Sequence, residues 1–190
     1  MATTLSYRQI IGLEASTPTT QDSTLLIIDA QNIIASGPMP ARDVEKPRAA
    51  IAALLQKYRA AKGKVVHVIH DTSAWPIPPE EGLEFEELTP IEGEVKIPPK
   101  KFTNSFTGTG LAEELEKLGN KKLVIVGFMA HICVSTTARQ ASELGYDVVV
   151  VEDAVGDRDI PGVDAVQLVK VMLAEIGDFY GTVLHSSSIA

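Results

Sequence analysis

The sequence predicts a three-layer α/β/α fold around a mostly parallel, Rossmann-like sheet of about six strands. Apolar runs alternate with amphipathic segments along the chain, which is typical of parallel α/β proteins. Several runs are apolar throughout, as in strands that are covered on both faces. With 190 residues, of which 45% are hydrophobic, the chain can bury one core. We expect a single domain over residues 1–190, with an irregular lead-in over residues 1–23.

The predicted elements follow this alternation in chain order. Apolar runs predict strands, and 3.6-residue spacing with glycine stops predicts helices. The proline-rich stretch 72–110 is predicted to be mostly loop, with one short strand at most. The strands are predicted at 24–29, 64–71, 121–127, 146–153 and 179–186, and the helices at 44–63, 111–120, 134–145 and 163–177.

Composition and charge argue against several kinds of binding partner and against several cellular locations. The formal net charge of −8 disfavours nucleic acid and anionic membrane surfaces, because both require a positive face. No run reaches the roughly 18 apolar residues of a membrane span. The single cysteine excludes an internal disulfide and suits a reducing compartment. Since residues 1–16 lack a basic start followed by an apolar block, we expect a cytoplasmic protein without a signal peptide.

Three reactive side chains lie near predicted strand ends. Asp29 closes the first strand, Lys100 lies in the segment before "NSF", and Cys133 follows the strand "LVIVG". Because sites in parallel sheets form beyond the carboxyl ends of the strands, the three can converge. A helix predicted to begin around Cys133, with a lysine nearby, would lower the thiol pKa. Taken alone, each residue has an ordinary explanation, such as a buried filler, a loop cap or a surface lysine.

The sequence around these residues resembles that of the isochorismatase-like cysteine hydrolases, which include nicotinamidases and N-carbamoylsarcosine amidase. The resemblance rests on "LLIIDAQN", "KKFTNSFTGTGL" and "GFMAHICVSTTARQASELGYDVVVVEDAVGDRD" and extends from about residue 25 to 159. It implies Asp29 as the acid–base, Lys100 as its partner and Cys133 as the nucleophile, with Lys101 as a rival lysine. It also implies a cis peptide before Met129, whose N–H would form an oxyanion hole with that of Cys133.

The same resemblance bears on metal and substrate. The chain lacks the Asp-x-His and further His that bind metal in nicotinamidases, and His67 and His70 point to opposite faces of a strand. We therefore expect neither metal nor cofactor, with His67 packed under a helix. The charge run 157–159 is interpreted as a solvated loop. The candidate substrate-binding residues, some with equally good packing or capping explanations, are Gln31, His70, Trp75, Phe106 and Phe128.

These observations favour a metal-independent cysteine hydrolase that cleaves a small amide or related C–N bond through a thioester. Two alternatives stay open. One is hydrolysis of the isochorismate vinyl ether, which needs an acid rather than a nucleophile. The other is a non-catalytic protein that binds a metabolite. The resemblance further implies a homo-oligomer, a dimer or tetramer.

Overall fold

The computed structural model describes residues 4–190, and these contain a six-stranded sheet in which all neighbouring strands are parallel. The spatial order is β3-β2-β1-β4-β5-β6. The strands are β1 (Ser23–Ile28), β2 (Lys64–Val68), β3 (Val95–Lys96), β4 (Lys122–Gly127), β5 (Asp147–Val155) and β6 (Thr182–Leu184). The three-layer fold predicted from the sequence is confirmed, and the sheet is wholly rather than mostly parallel.

Helices cover both faces of this sheet. The helices are α1 (Tyr7–Ile10), α2 (Ile33–Ser36), α3 (Glu45–Ala60), α4 (Leu111–Leu118), α5 (Ser135–Glu143) and α6 (Ala165–Glu175). The buried residues of α3 pack with one face of the strands, and those of α4, α5 and α6 pack with the other. Every side chain of β1 is buried, which explains why its sequence shows no polar alternation.

The lead-in and the proline-rich stretch differ in detail from their predictions. The lead-in contains one helical turn, α1, where Ser6 and Gln9 cap each other's backbone in a capping box. Strand β1 also begins within it, at Ser23. The proline-rich stretch holds β3 and two short 3₁₀ turns, Pro79–Gly82 and Glu86–Leu88. Within residues 4–190, no helix is both long and apolar enough to cross a membrane.

The strand order creates a crevice at the carboxyl edge of the sheet. The chain passes from β1 to β2 on one side, and β4 returns to pair with β1 on the other. Such a reversal of strand order leaves a gap between the loops that follow the two central strands. The loop after β1 carries Asp29, and the loop after β4 carries Cys133.

Candidate active site

The structure brings Asp29, Lys100 and Cys133 together at this edge. The Lys100 ammonium lies 2.8 Å from Asp29 Oδ2 and 3.3 Å from Cys133 Sγ. All three residues are buried, and Lys100 is only 1% exposed. Its neighbour Lys101 is exposed, so the geometry selects Lys100 as the lysine of this group.

Close contact between β1 and β4 explains how these residues meet. Gly127 ends β4 with a φ of 121°, and a Cβ there would lie 1.9 Å from the carbonyl oxygen of Ile28. Only glycine therefore allows the two strand ends to approach this closely. Asp29 comes directly after Ile28, the last residue of β1. It has a φ of 50°, in the left-handed region that Asp tolerates better than most residues. Its N–H donates to the carbonyl of Val68, which orients the turn over β2.

Burial controls the electrostatics of the group. Desolvation raises the pKa of Asp29, although the Lys100 ammonium acts in the opposite direction. Desolvation, followed by the charge of Asp29, raises the pKa of Cys133 to about 12, against the opposing effect of Lys100. The expectation of a lowered thiol pKa is therefore wrong. Within residues 4–190, Asp29 Oδ1 is buried without a hydrogen-bond partner by the distance and angle criteria.

His70 joins the group through the same lysine. Lys100 Nζ donates to His70 Nδ1 at 3.2 Å, and burial followed by the Lys100 charge lowers the pKa of His70. Ligand atoms of Asp29, His70 and Cys133 lie within 4.8 Å of one another, as in a metal site. The Lys100 ammonium contacts one atom of each of these three residues, so the group already contains a cation.

The segment before Cys133 has an unusual backbone. The Phe128–Met129 peptide bond is cis, as the resemblance implied. Residues Ala130–Val134 then form a π-helical turn ahead of α5, so Cys133 lies inside this turn rather than at the start of the α-helix. Among the residues that the structure describes, no acceptor is paired with the Met129 N–H. Met129 and Cys133 both line the same cavity.

That cavity has a volume of about 170 Å³, below the ~300–1,000 Å³ of typical drug-sized ligand pockets. Its walls are mostly apolar. His70 and Trp75 both line it, and their rings lie 5.2 Å apart. The remaining lining residues are Asp29, Gln31, Ile33, Ile34, Met39, Thr72, Thr103, Met129, Ile132, Cys133 and Arg158.

Three other candidates for substrate contact occupy different environments. Gln31 lines the cavity, but its amide already binds the backbone N–H and C=O of His70 and the carbonyl of Gly82. It therefore shapes the wall. Phe128 is fully buried against Phe85, outside the cavity lining. Phe106 also lies outside the lining and packs near Tyr146 on the α4–α5 side of the sheet.

His67 is buried, and its recorded contacts are polar rather than apolar packing. Its Nδ1 lies 3.0 Å from a carboxylate oxygen of Glu84, and its Nε2 lies 3.0 Å from one of Glu94. Glu94 in turn pairs with Arg59 at 2.7 Å. This buried network connects β2 to the segment before β3.

The sequence interpretation missed the part of the site formed after β5. Asp157 is fully buried, whereas Asp159 is exposed and pairs with Arg42, so the interpretation as a solvated loop holds for Asp159 but not for Asp157. Its Oδ2 accepts hydrogen bonds from the N–H and Nδ1 of His131, and its Oδ1 accepts from the Arg158 N–H. Arg158 lines the cavity. Alternating charges usually indicate a surface, and only the three-dimensional position of this loop reveals its role.

The fold and site define a parallel α/β protein with an acid, a lysine and a cysteine at one sheet edge, and comparisons with known proteins identify its family. A family model described as "Isochorismatase domain" matches residues 23–176. The chain is 53% identical over 188 residues to the secreted isochorismatase effector Isc1 of Verticillium dahliae, covering 97% of this chain and 98% of that relative. A solved isochorismatase from Pseudomonas putida superposes with a TM-score of 0.93 at 32% identity, covering 99% of this chain and 100% of that one.

The relatives also include proteins that are named as hydrolases. The chain is 32% identical over 143 residues to a streptothricin hydrolase of Streptomyces noursei, covering 72% of this chain and 50% of that relative. Since the family model spans most of the sequence, this chain belongs to the isochorismatase family and is a hydrolase of that family.

Proposed function

We propose that this protein is a metal-independent cysteine hydrolase that cleaves a small amide or related C–N bond. One observation carries the proposal: Lys100 Nζ contacts both Asp29 and Cys133 beside a cavity that also exposes Met129. A nucleophile, a proton acceptor and backbone N–H groups at one point form the combination that acyl transfer requires. The small cavity supports a small substrate.

In the first half of the reaction, Cys133 Sγ attacks the substrate carbonyl while its proton passes to the Asp29 carboxylate. The raised thiol pKa means that this proton leaves as the C–S bond forms, rather than beforehand. The carbonyl oxygen becomes an oxyanion, which the N–H groups of Met129 and Cys133 stabilise. Asp29 then donates the proton to the leaving nitrogen, the C–N bond breaks, and a thioester remains.

In the second half, water attacks the thioester carbonyl and gives a proton to Asp29. Collapse of this intermediate breaks the C–S bond and releases the carboxylic acid, and the proton returns to the Cys133 sulfur. Lys100 balances the charge that moves between Asp29 and Cys133, because its ammonium contacts both groups.

Ammonia release from a panel of small primary amides tests this mechanism. We expect Cys133→Ala and Lys100→Ala to lower kcat/KM by about 10³-fold or more, as when members of a catalytic group are removed. Lys101→Ala is the matched control, because this neighbouring lysine is exposed and should retain full activity. Full turnover by Cys133→Ala would overturn the nucleophile assignment.

Hydrolysis of isochorismate is the second candidate, and two observations favour it. The Verticillium dahliae relative is named as an isochorismatase. In addition, burial raises the pKa of Asp29, which suits a carboxylic acid that protonates a vinyl ether. Pyruvate release from isochorismate by both the wild type and Cys133→Ala, without amide cleavage, would support this function over the first.

Location and assembly form the remaining part of the proposal. A cytoplasmic location is supported by the single free cysteine, whereas the relative described as secreted favours export. Cell fractionation decides between them. We further propose a homo-oligomer that acts on a small molecule and binds neither nucleic acid nor membrane, supported by the family resemblance and the net charge of −8.

A further inference from the structure

We propose that His131 and Asp157 are a pair of positioning residues, which hold the turn that carries the Cys133 nucleophile. This inference rests on the proposed function, because it explains how the nucleophile of that reaction is kept in place. Neither His131 nor Asp157 is among the described lining residues of the cavity, so neither is a catalytic residue. They act through the π-helical turn Ala130–Val134, to which both His131 and Cys133 belong.

Asp157 binds His131 at two atoms. The Asp157 Oδ2 accepts the His131 backbone N–H at 2.8 Å and lies 2.7 Å from the imidazole Nδ1. The other carboxylate oxygen, Oδ1, accepts the Arg158 N–H at 2.8 Å. Since both oxygens already accept backbone N–H groups, Nδ1 of His131 is the donor in its contact. One main-chain and one side-chain hydrogen bond from the same histidine therefore converge on a single buried oxygen.

The loop that carries Asp157 is itself fixed beside the turn. The Gly156 carbonyl accepts the Ala130 N–H at 2.9 Å, and the Asp157 carbonyl accepts the Arg42 N–H at 2.8 Å. A Cβ at Gly156 would lie 2.5 Å from the buried ring of Phe128, so glycine is needed for this close approach. Asp157 is therefore a firm support against which the turn is aligned.

The turn is held by polar contacts from two residues. Lys100 contacts the Cys133 sulfur at 3.3 Å, and Asp157 holds His131, which precedes Cys133 by two residues. Together these contacts determine where the thiol lies relative to Lys100. Attack on a carbonyl depends on such alignment, and a displacement of about 1 Å can cost on the order of 10²-fold in rate. Hydrogen-bonded supports of this kind keep a reacting group within about 0.5 Å of its productive position.

Two amide substitutions of His131 test the hydrogen bond from Nδ1. The side-chain nitrogen of asparagine is as many bonds from Cβ as histidine Nδ1, whereas that of glutamine corresponds to Nε2. His131→Asn therefore keeps a donor for Asp157, and His131→Gln misplaces it. We expect His131→Gln to lower kcat for the amide panel by about tenfold to a hundredfold, with KM within about twofold, and His131→Asn to recover most of the loss. A packing role predicts the opposite ranking, because glutamine fills more of the space of histidine, and that ranking would overturn the proposal.

Alkylation of Cys133 by iodoacetamide reports the position of the thiol without any requirement for turnover. Cys133 is only 8% exposed, so a displaced turn should make its sulfur more accessible. We expect His131→Gln to be alkylated faster than the wild type by about threefold or more, and His131→Asn at nearly the wild-type rate. His185→Gln is the matched control, because this exposed histidine also contacts a carboxylate, that of Asp153 at 3.3 Å. An equal acceleration in His185→Gln would contradict the assignment to His131.

Asp157→Asn completes a double-mutant cycle. One amide oxygen cannot replace two carboxylate oxygens, so this variant should also lower kcat and accelerate alkylation. If the pair acts as a unit, His131→Gln should add little in the Asp157→Asn background, whereas independent effects would multiply and would refute the pairing. Should His131→Gln fail to fold, the contrast between His131→Asn and Asp157→Asn carries the same test, and equal behaviour of these two would refute it. The expected alkylation rates without any amide hydrolysis by the wild type would contradict only the proposed reaction.

Discussion

At the scale of single residues, one lysine lies between an acid and a thiol whose pKa values are both raised. Burial is the largest cause for each group, and the Asp29 charge adds to the shift at Cys133. Lys100 opposes both shifts but does not reverse them. A thiol with a pKa of about 12 is protonated at neutral pH, and protonated thiols are oxidised less readily than thiolates.

The Asp29→Asn variant tests this balance. Because the Asp29 charge raises the thiol pKa, its removal leaves Lys100 as the only adjacent charge, and the pKa of Cys133 should fall. The rate of iodoacetamide alkylation should rise with pH toward about 12 in the wild type and at lower pH in Asp29→Asn. Lys100→Met should move the profile in the opposite direction. If the alkylation rate of Asp29→Asn rises at the same pH as that of the wild type, or at a higher pH, this account is contradicted.

The residues that could be predicted from the sequence share one property, namely a fixed position relative to a buried strand. Asp29 and Cys133 follow β1 and β4, whereas Lys100, with Lys101 as its rival, came from the family resemblance. Phe106 and Arg158 lie in loops, where hydrophobicity and charge do not reveal which way the chain turns. Phe106 was consequently assigned to the cavity that Arg158 in fact lines.

At the scale of elements, the contact between β1 and β4 determines the shape of the site. The strands were predictable because double burial removes polar residues from their sequences. The π-helical turn at Ala130–Val134 was not predictable, since its local sequence continues smoothly into α5. Its position depends on long-range hydrogen bonds, such as that from the Ala130 N–H to the Gly156 carbonyl.

Gly127→Ala tests the close approach of the two strand ends, with Gly119→Ala as its control. Both glycines have positive φ, 121° and 80°, but a Cβ at Gly119 meets nothing within 4 Å. Gly119→Ala should therefore cost only about 1 kcal/mol of unfolding free energy from backbone strain. Gly127→Ala should cost at least about 2 kcal/mol more, because its Cβ overlaps the Ile28 carbonyl. Urea denaturation measures both, and equal costs would contradict the steric argument.

At the scale of the whole molecule, the last residues of the chain complete the core on the α3 face. Ile189 is fully buried in the same cluster as Leu55 and Tyr58. Its carbonyl accepts a hydrogen bond from Lys57 on α3. The Thr20 N–H donates to the Ala190 carbonyl at 2.9 Å, so the lead-in and the final segment support each other beside the sheet. The same cluster reaches Met129, but Ile189 itself does not line the Cys133 cavity.

Ile189→Ala should therefore lower global stability without altering the site. Removal of a buried isoleucine side chain typically costs about 2–5 kcal/mol, because it combines lost burial with a cavity. Ile10→Ala is the control, since Ile10 is 67% exposed and its loss should change the free energy of unfolding by less than about 0.5 kcal/mol. Urea denaturation should show a lower midpoint with an unchanged m-value for Ile189→Ala. In native buffer, its Cys133 alkylation profile should match that of the wild type; a changed profile would mean that the final segment also positions the active site.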